Sequence, residues 1–298
     1  MLSIPLSMAV GAPISTWIMQ LDGALGFKGW QWLFLLEGVP AVLLPILVLT
    51  VLTDNPAVAR WVTDAEKQWL LRELESDREH VAVKKIASSV RHVFTSPMVW
   101  AFCLIYFGST CSNYGLSMFM PQIIKQLGFT TMQTGFIMFI PYLTGCIGML
   151  GIGYSSDRFK ERKWHVIGSF LIISIGLGVA GRLGPTLAAL MLLCIANFGI
   201  MGSKGAFWPL PSAYLTGPAA AAGIAFINSV ANLGGFAGPS IVGWAKQATG
   251  SFSGGLYALA GVTFAGALLT LFSIQHSKAP APSILEKTQE VIEQVRTC

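Results

Sequence analysis

Residues 153–165 read GYSSDRFKERKWH, and this stretch decides how the rest of the chain is interpreted. Six of the seven positions from Asp157 to Lys163 are charged, in a chain that is 53% hydrophobic and only 11% charged. Soluble domains average about 25% charged residues. The shortfall indicates long uncharged segments, and the charged cluster is one of the few polar breaks between them.

Eight apolar segments have the length that a membrane crossing needs, about 20 residues each. They cover residues 1–20, 31–53, 98–119, 134–155, 164–181, 186–209, 219–244 and 256–274. A polar connection at 54–97 divides them into groups of two and six. The sequence therefore predicts an all-α polytopic membrane protein, a helical bundle of eight spans.

Two polar segments are expected to carry short helices outside the membrane. In the connection, Thr63 and Glu66 have the spacing of a capping box, which predicts a surface helix over 64–78. This helix is either a solvated linker or a docking element for a partner. In the tail, SILEKTQEVIEQVR favours a short helix on the membrane surface.

The basic residues are distributed unequally between the two sides of the membrane. Because connections alternate sides, the segments 54–97 and 156–163 share one face with the tail, and together they hold 14 lysines and arginines. The opposite face holds Lys28, Lys125, Arg182 and Lys246. The positive-inside rule makes the richer face cytoplasmic. The charged loop therefore maintains topology, and both ends of the chain are expected in the cytoplasm.

Other classes of function lack support in the sequence. The net charge is +5, but the chain has no soluble domain on which these charges could form a nucleic-acid-binding surface. Four of the five cysteines lie inside apolar segments, and neither a disulfide framework nor a metal-ligand spacing follows from them. No phosphate-binding glycine loop or Ser–His–Asp set is present. We expect no enzyme, no cofactor and no metal.

The first helical hairpin resembles the last. The segment GAPISTWIMQ at 11–20 parallels GPSIVGWAKQ at 238–247, and Gly23 parallels Gly250. Both hairpins begin and end on the cytoplasmic side in the expected topology. Parallel six-span halves are a known transporter architecture. If spans three to eight form one half, spans one and two are the end of another.

The charged loop also resembles the loop motif G-x-x-x-D-R-x-x-x-R-[RK] of the major facilitator superfamily. The matching positions are Gly153, Asp157, Arg158, Arg162 and Lys163. More narrowly, the chain is similar to the anion:cation symporter family, in its bacterial branch that resembles tartrate and phthalate permeases. The stretches that carry this likeness are residues 29–44, 61–70, 113–129, 157–165 and 207–239.

This resemblance implies a carrier that moves an organic anion, usually a carboxylate, with protons by alternating access. It implies that the chain begins at helix 5 of twelve, so that four helices with the family's main arginines and proton-titrating carboxylates are missing. The implied parts are the last two helices of the first bundle, the cytoplasmic linker, the six-helix second bundle and the cytoplasmic tail. They occupy residues 1–53, 54–97, 98–275 and 276–298.

The expected location is the plasma membrane, as the bacterial inner membrane, and the oligomeric state is left open. The alternatives are a non-transporting membrane fragment or scaffold, and a facilitator of neutral solutes. A truncated chain or a misplaced start would account for the missing helices.

Lys204 is the strongest candidate for substrate binding. An ammonium at bilayer depth costs about 3 kcal/mol, so it is expected to need an anion or water beside it. Asn197, Lys204 and Trp208 share one helical face and could present a cation, an amide and an aromatic wall to a carboxylate. The alternative is that Lys204 extends to the cytoplasmic interface.

Two further sets of polar residues lie on shared helical faces. Asn228 and Asn232 would line the substrate cavity or hydrogen-bond a neighbouring helix. Tyr106 and Asn113, with Tyr114 adjacent, would line the cavity or serve helix packing. Pro121-Gln122 is expected to end this span near the outer surface.

Charged residues near the membrane surfaces have mechanical or proton-coupling interpretations. Asp157 and Arg158 could form a latch across the gap between bundles, in addition to their part in topology. Glu37 is a possible proton site, or it is solvated, or it pairs with Lys28.

Overall fold

The computed structural model describes residues 2–53, 55–59, 61–83, 90–215 and 218–274, and within these ranges the regular structure is helical. The α-helices, numbered α1 to α13 in chain order, are Ser3–Ile18, Gly29–Val51, Asp64–Val83, Val90–Thr95, Pro97–Gln126, Thr131–Ile137, Phe139–Arg158, Lys163–Leu183, Leu187–Phe207, Pro209–Tyr214, Pro218–Asn232, Gly234–Thr249 and Ser253–Ser273. Three pairs are nearly continuous, with breaks at Met138, Trp208 and Leu233. Each pair corresponds to one predicted span.

Seven of the eight predicted spans are long and apolar enough to cross a membrane. In the described residues they are Ser3–Leu21, Gly29–Val51, Thr131–Arg158, Lys163–Leu183, Leu187–Tyr214, Ala220–Thr249 and Ser253–Ser273. The predicted span at 98–119 lies in α5, which is the longest helix at 30 residues. The polar run from Ser109 to Asn113 lowers the hydropathy of α5. We count α5 as the eighth crossing because it lies inside the bundle formed by the others.

The span in α5 is predicted to end at Pro121-Gln122, and this membrane boundary stays a prediction. The helix continues through this proline to Gln126. Proline removes one backbone hydrogen bond from a helix, but membrane helices tolerate it where neighbouring groups compensate. Near this proline, the Lys246 ammonium of α12 donates to the Gln122 side chain at 2.9 Å, which holds the C-terminal end of α5 against its neighbour.

α5 is the centre of the bundle. It runs parallel to α11 and α12, since Trp100 contacts Phe226 near one end and Gln122 bonds Lys246 near the other. It runs antiparallel to α13. The Ser112 hydroxyl donates to the Leu259 carbonyl at 3.5 Å, and Gly108, earlier in α5, lies against Val262, later in α13. This arrangement agrees with the alternating directions that the predicted topology requires.

Small residues allow the other helices to approach closely, as in many membrane bundles. A Cβ placed on Gly148 of α7 would lie 2.2 Å from the Phe198 carbonyl oxygen of α9. A Cβ on Gly199 of α9 would lie 2.9 Å from the Ser169 carbonyl oxygen of α8. α9 is therefore held between α7 and α8 by backbone contact.

The first two helices are held less closely. α1 packs on α6 and α7, whereas α2 contacts α1 and the turn that follows it. None of the most apolar 18 residues of α2 is buried in the protein, against 61% in the segment Leu187–Tyr214. The outer surface of α2 is therefore available to lipid or to other protein.

The likeness between the first and last hairpins has a structural counterpart. Gly23 and Gly250 both follow their helix with a positive φ, of 85° and 71° respectively. Trp17 and Trp244 are both exposed on the preceding helix. A residue with positive φ favours glycine, so the repeated glycine marks the same turn in both hairpins.

The linker helix is present and longer than predicted, as Asp64–Val83. The Thr63 amide donates to the Glu66 carboxylate at 2.9 Å and the Glu66 amide donates to the Thr63 hydroxyl at 3.4 Å, so the capping box is confirmed. The hydrogen bond from the Thr63 side chain, followed by that from its backbone, lowers the pKa of the Glu66 carboxyl. The helix predicted in the tail lies outside the described residues.

Candidate functional site

Lys204 lies deep in the bundle, on the face of α9 that carries Met201 and Trp208. Its side chain is only 6% exposed, and it makes no hydrogen bond or ion pair with the described part of the chain. On the same helical face, Met201 packs against Gly145 of α7 and Trp208 packs against Tyr106 of α5. Lys204 lies between these two residues and therefore faces the groove between α5 and α7.

Aromatic rings close this groove at the C-terminal end of α9. The Tyr106 ring stacks on Phe207, with centroids 5.1 Å apart and planes within 8° of parallel. Tyr106 also meets Trp208 edge to face at 4.9 Å. One turn further along, the Ser109 and Ser203 hydroxyls are bonded at 2.9 Å and fix the register of α5 and α9.

Three buried polar atoms in the same groove have no hydrogen-bond partner in the described residues: Thr110 Oγ1, Asn113 Oδ1 and Trp208 Nε1. The Tyr106 hydroxyl lies near both Thr110 and Trp208, but neither contact has hydrogen-bond geometry. Most buried polar groups in folded proteins are paired, so an unpaired group requires an explanation. We call the set Thr110, Asn113, Lys204 and Trp208 the central polar cluster.

Thr110 is the member of this cluster that sequence reasoning missed. It lies four residues after Tyr106 and three before Asn113, so all three share one face of α5. That spacing was visible in the sequence. Threonine, however, is common in membrane helices, where its hydroxyl can bond its own helix, so spacing alone gave no reason to select it.

Asn197 shares a face with Lys204, as predicted, but its amide is already used. Its Nδ2 atom donates to the Pro141 carbonyl oxygen at 2.6 Å, and the side chain is 3% exposed. The bond joins α9 to the first turn of α7. A substrate-binding role for Asn197 stays a prediction, and the observed contact is between helices.

Asn228, Asn232 and Tyr114 lie on an exposed edge of the bundle rather than in the central polar cluster. Both asparagine side chains are exposed. A Cβ on Gly235, one turn beyond Asn232, would lie 3.2 Å from the Tyr114 ring. The three residues therefore share one side, which we call the open edge, and their role in the cavity stays a prediction.

The side chains of the charged loop bond to one another and to the adjacent end of α7. The Asp157 carboxylate pairs with Arg162, which also donates to the Ser156 hydroxyl at 3.2 Å. Arg158 donates to the Tyr154 hydroxyl at 3.3 Å. These bonds shape the turn between α7 and α8, and a latch to the other bundle stays a prediction.

The remaining motif positions also have local contacts. Gly153 packs against Gly205 of α9. A Cβ placed on Gly205 would lie 3.5 Å from the Gly153 Cα atom. The Lys163 ammonium lies 5.8 Å from the centre of the Trp164 ring, a distance typical of a cation–π contact.

Glu37 lies on α2 and accepts a hydrogen bond from the Ser15 hydroxyl of α1 at 2.5 Å. Ser15 borders a cavity of about 470 Å³ between α1, α5 and α6, which Lys125 and Tyr142 also line. The observed partner of Glu37 is therefore Ser15. Its role as a proton site stays a prediction.

Comparison with known proteins matches residues 1–239 to the Major Facilitator Superfamily. A putative tartrate transporter of Agrobacterium vitis is 43% identical over 271 residues, which are 91% of this chain and 62% of that protein. A quinolone resistance transporter of Acinetobacter baumannii is 38% identical over 270 residues, 90% of this chain and 62% of that protein.

A third relative, the putative metabolite transport protein NicT of Pseudomonas putida, is 36% identical over 274 residues, 91% of this chain and 62% of that protein. The chain thus spans about 62% of the length of these curated relatives.

Proposed function

Since the chain belongs to the major facilitator superfamily, we propose that the protein is a secondary transporter for an organic anion that carries carboxylate groups. In this proposal the anion crosses with protons, by alternating access. The chain is a multi-pass membrane protein of a transporter family and not an enzyme. The observation that carries the proposal is Lys204, whose buried ammonium group has no counter-ion among the described residues of the chain.

The charge on Lys204 selects the class of ligand. An ammonium at the bilayer centre costs about 3 kcal/mol, and an anion bound beside it offsets that cost. Trp208 can donate its indole N–H to the same anion, because it lies one turn away on the same face. A carboxylate accepts several such bonds at once, whereas a neutral solute would leave the ammonium without a counter-ion.

The relatives support a carboxylate as the cargo. Two of them are named as putative tartrate transporters, at 43% identity each, and tartrate is a dicarboxylate. Other relatives are named for quinolone resistance and for metabolite transport, at 38% and 36% identity. The anionic class is therefore our proposal for this chain, and the particular anion is left to the measurements below.

We assign the remaining predicted residues to movement and coupling. Asn228 and Asn232 would face the substrate path along the open edge, and Glu37 would exchange protons at the outer side of α2. Asp157 and Arg158 would exchange their present partners for groups of the other bundle when the carrier inverts. The loop and the tail would face the cytoplasm of a bacterial cell.

Binding of tartrate to the detergent-purified chain tests the proposal. We expect L-tartrate to raise the melting temperature at pH 7.5, compared with sodium chloride at equal ionic strength. Erythritol, which has four carbons and no charge, should leave it unchanged. Lys204→Met should abolish the response to tartrate, and it should raise the melting temperature of the ligand-free protein because an unpaired buried charge is removed.

Lys125→Met is the matched control, because Lys125 is an exposed lysine of the same bundle. It should leave both the ligand-free melting temperature and the tartrate response as in the unmodified protein. A tartrate response that survives in Lys204→Met would contradict the role of Lys204. Equal responses to tartrate and erythritol would contradict an anionic cargo.

Proton coupling needs a separate measurement. Membrane vesicles from cells that express the gene should take up labelled tartrate when the outside is acidic, and a protonophore should reduce this uptake. Uptake that is unchanged by the protonophore would contradict proton coupling while leaving the anionic cargo in place.

A further inference from the structure

The Asn113 amide is an unpaired acceptor in the central polar cluster. Its side chain is 5% exposed, its oxygen is buried, and the amide has no hydrogen-bond partner in the described residues. The other members of the cluster include two donors that suit a carboxylate, Lys204 and Trp208. A carboxylate has no hydrogen to donate, so it leaves the Asn113 oxygen unpaired.

The register of α5 and α9 places Asn113 next to the space that such a carboxylate would occupy. Tyr106 lies opposite Phe207, and Ser109 is bonded to Ser203. Asn113 is therefore one turn further toward the outer side than this bond. Side chains of a helix lean toward its N-terminus, which for α9 is the outer end, so Lys204 extends toward the level of Asn113.

Three observations thus combine in one groove: a buried cation, a buried indole donor and a buried amide acceptor. Resting on the proposed function, we propose that the site is built for a hydroxy acid. Its carboxylate binds Lys204 and Trp208, and a hydroxyl on the adjacent carbon donates its hydrogen to Asn113 Oδ1. Thr110, one turn from Asn113 on the same face, can bond the same hydroxyl or the carboxylate. Asn113 is then the residue that determines specificity for the hydroxyl group.

An ammonium on the ligand would also supply a hydrogen to Asn113, but Lys204 opposes it. Two cations in one low-dielectric site repel each other strongly. A hydroxyl supplies the donor without adding charge. The cluster therefore favours a hydroxy acid over both an unsubstituted acid and an amino acid.

Three four-carbon diacids that differ at one carbon test this inference: succinate with hydrogen, L-malate with hydroxyl and L-aspartate with ammonium. Affinities for the detergent-purified chain are measured by titration calorimetry at pH 7.5, where the carboxyl groups are ionised. We expect L-malate to bind about 10- to 100-fold more tightly than succinate, because succinate leaves a buried acceptor unpaired. L-Aspartate should bind more weakly than L-malate.

Asn113→Leu removes the acceptor and keeps a side chain of similar size. It should lower the affinity for L-malate to that for succinate, without lowering the affinity for succinate. Thr263→Val is the control, because Thr263 is a fully buried polar residue whose hydroxyl bonds its own helix at 3.0 Å. It should preserve the ratio of the two affinities.

The outcomes separate this inference from the proposed function. Equal binding of succinate and L-malate, both lost in Lys204→Met, would overturn the hydroxy-acid inference and leave the anionic cargo standing. Tighter binding of L-aspartate than of L-malate would also overturn it. If none of the acids binds, the proposed function fails and this inference fails with it. If Asn113→Leu does not fold, the ligand series on the unmodified protein decides.

Discussion

α2 and α9 are both apolar enough to cross a membrane, yet they have opposite environments within the protein. The most apolar 18 residues of α2 have a mean hydropathy of 2.3, and none of them is buried. In the segment Leu187–Tyr214, which contains α9, the most apolar 18 residues have a mean hydropathy of 1.6, and 61% of them are buried. In this pair the more apolar helix is therefore the one that is less buried in the protein. Lipid tails are as apolar as leucine, so burial between helices requires small residues and close packing instead.

This difference in burial predicts where a change in side-chain size alters the stability of the protein. We expect the largest loss of stability at a glycine of α7. Gly148→Ala would place a Cβ 2.2 Å from a backbone oxygen of α9, which must move. We expect a loss of about 3 kcal/mol, near the upper end for overpacking. Thermal unfolding of the detergent-purified protein, followed by intrinsic fluorescence, should show a melting temperature several degrees lower.

Gly151 provides a matched control three residues along the same helix. A Cβ there would have no neighbour within 4 Å. Gly151→Ala should be neutral or slightly stabilising, since alanine favours helix more than glycine does. If both variants lost the same amount of stability, any glycine replacement in α7 would be destabilising. The close contact between Gly148 and α9 would then not explain the loss.

A pair of leucines tests the same comparison by removing volume. Leu193 in α9 is fully buried, whereas Leu49 in α2 is 83% exposed. Leu193→Ala leaves a cavity and should cost about 2 kcal/mol, the lower end for such changes, because the surroundings of the bundle are also apolar.

Leu49→Ala should change the melting temperature by less than the error of measurement, because lipid or detergent fills the space. A comparable loss in both variants would mean that the outer face of α2 is packed against protein in the purified sample.

The fold could be predicted from the sequence because its signals are local. Segment length, hydropathy and the charged loop at 156–163 are each visible in a short window, and the span bounds are close to those observed. The contact of α5 with α12 beyond Pro121 was not visible, because the bond between Gln122 and Lys246 joins residues 124 positions apart.

The candidate site was only partly visible for the same reason. Lys204 was selected because one buried charge is conspicuous in an apolar segment. The bond between Asn197 and Pro141 joins residues 56 positions apart, so helical spacing gave no sign of it. Asn113 and Asn197 look alike in sequence. The structure separates them, because only the Asn197 amide has a hydrogen-bond partner among the described residues.

The smallest expected effect concerns α3, which is not among the helices apolar enough to cross a membrane. The bonds between Thr63 and Glu66 cap its first turn. These bonds lower the pKa of Glu66, which means that the ionised form stabilises the folded helix end. The stabilisation is present above the pKa of an unfolded glutamate, about 4.3, and is lost as the pH falls through the lower folded value.

Hydrogen exchange of the first turn of α3, corrected for intrinsic rates, should therefore show decreasing protection as the pH is lowered from 5 to 3. Glu66→Gln keeps the acceptor oxygen and the capping geometry but does not titrate. Protection in this variant should stay constant over the same range, so the comparison removes the effect of other carboxylates. If the variant loses protection in parallel with the unmodified protein, Glu66 is not the titrating group, and α3 is held by something other than its own first turn.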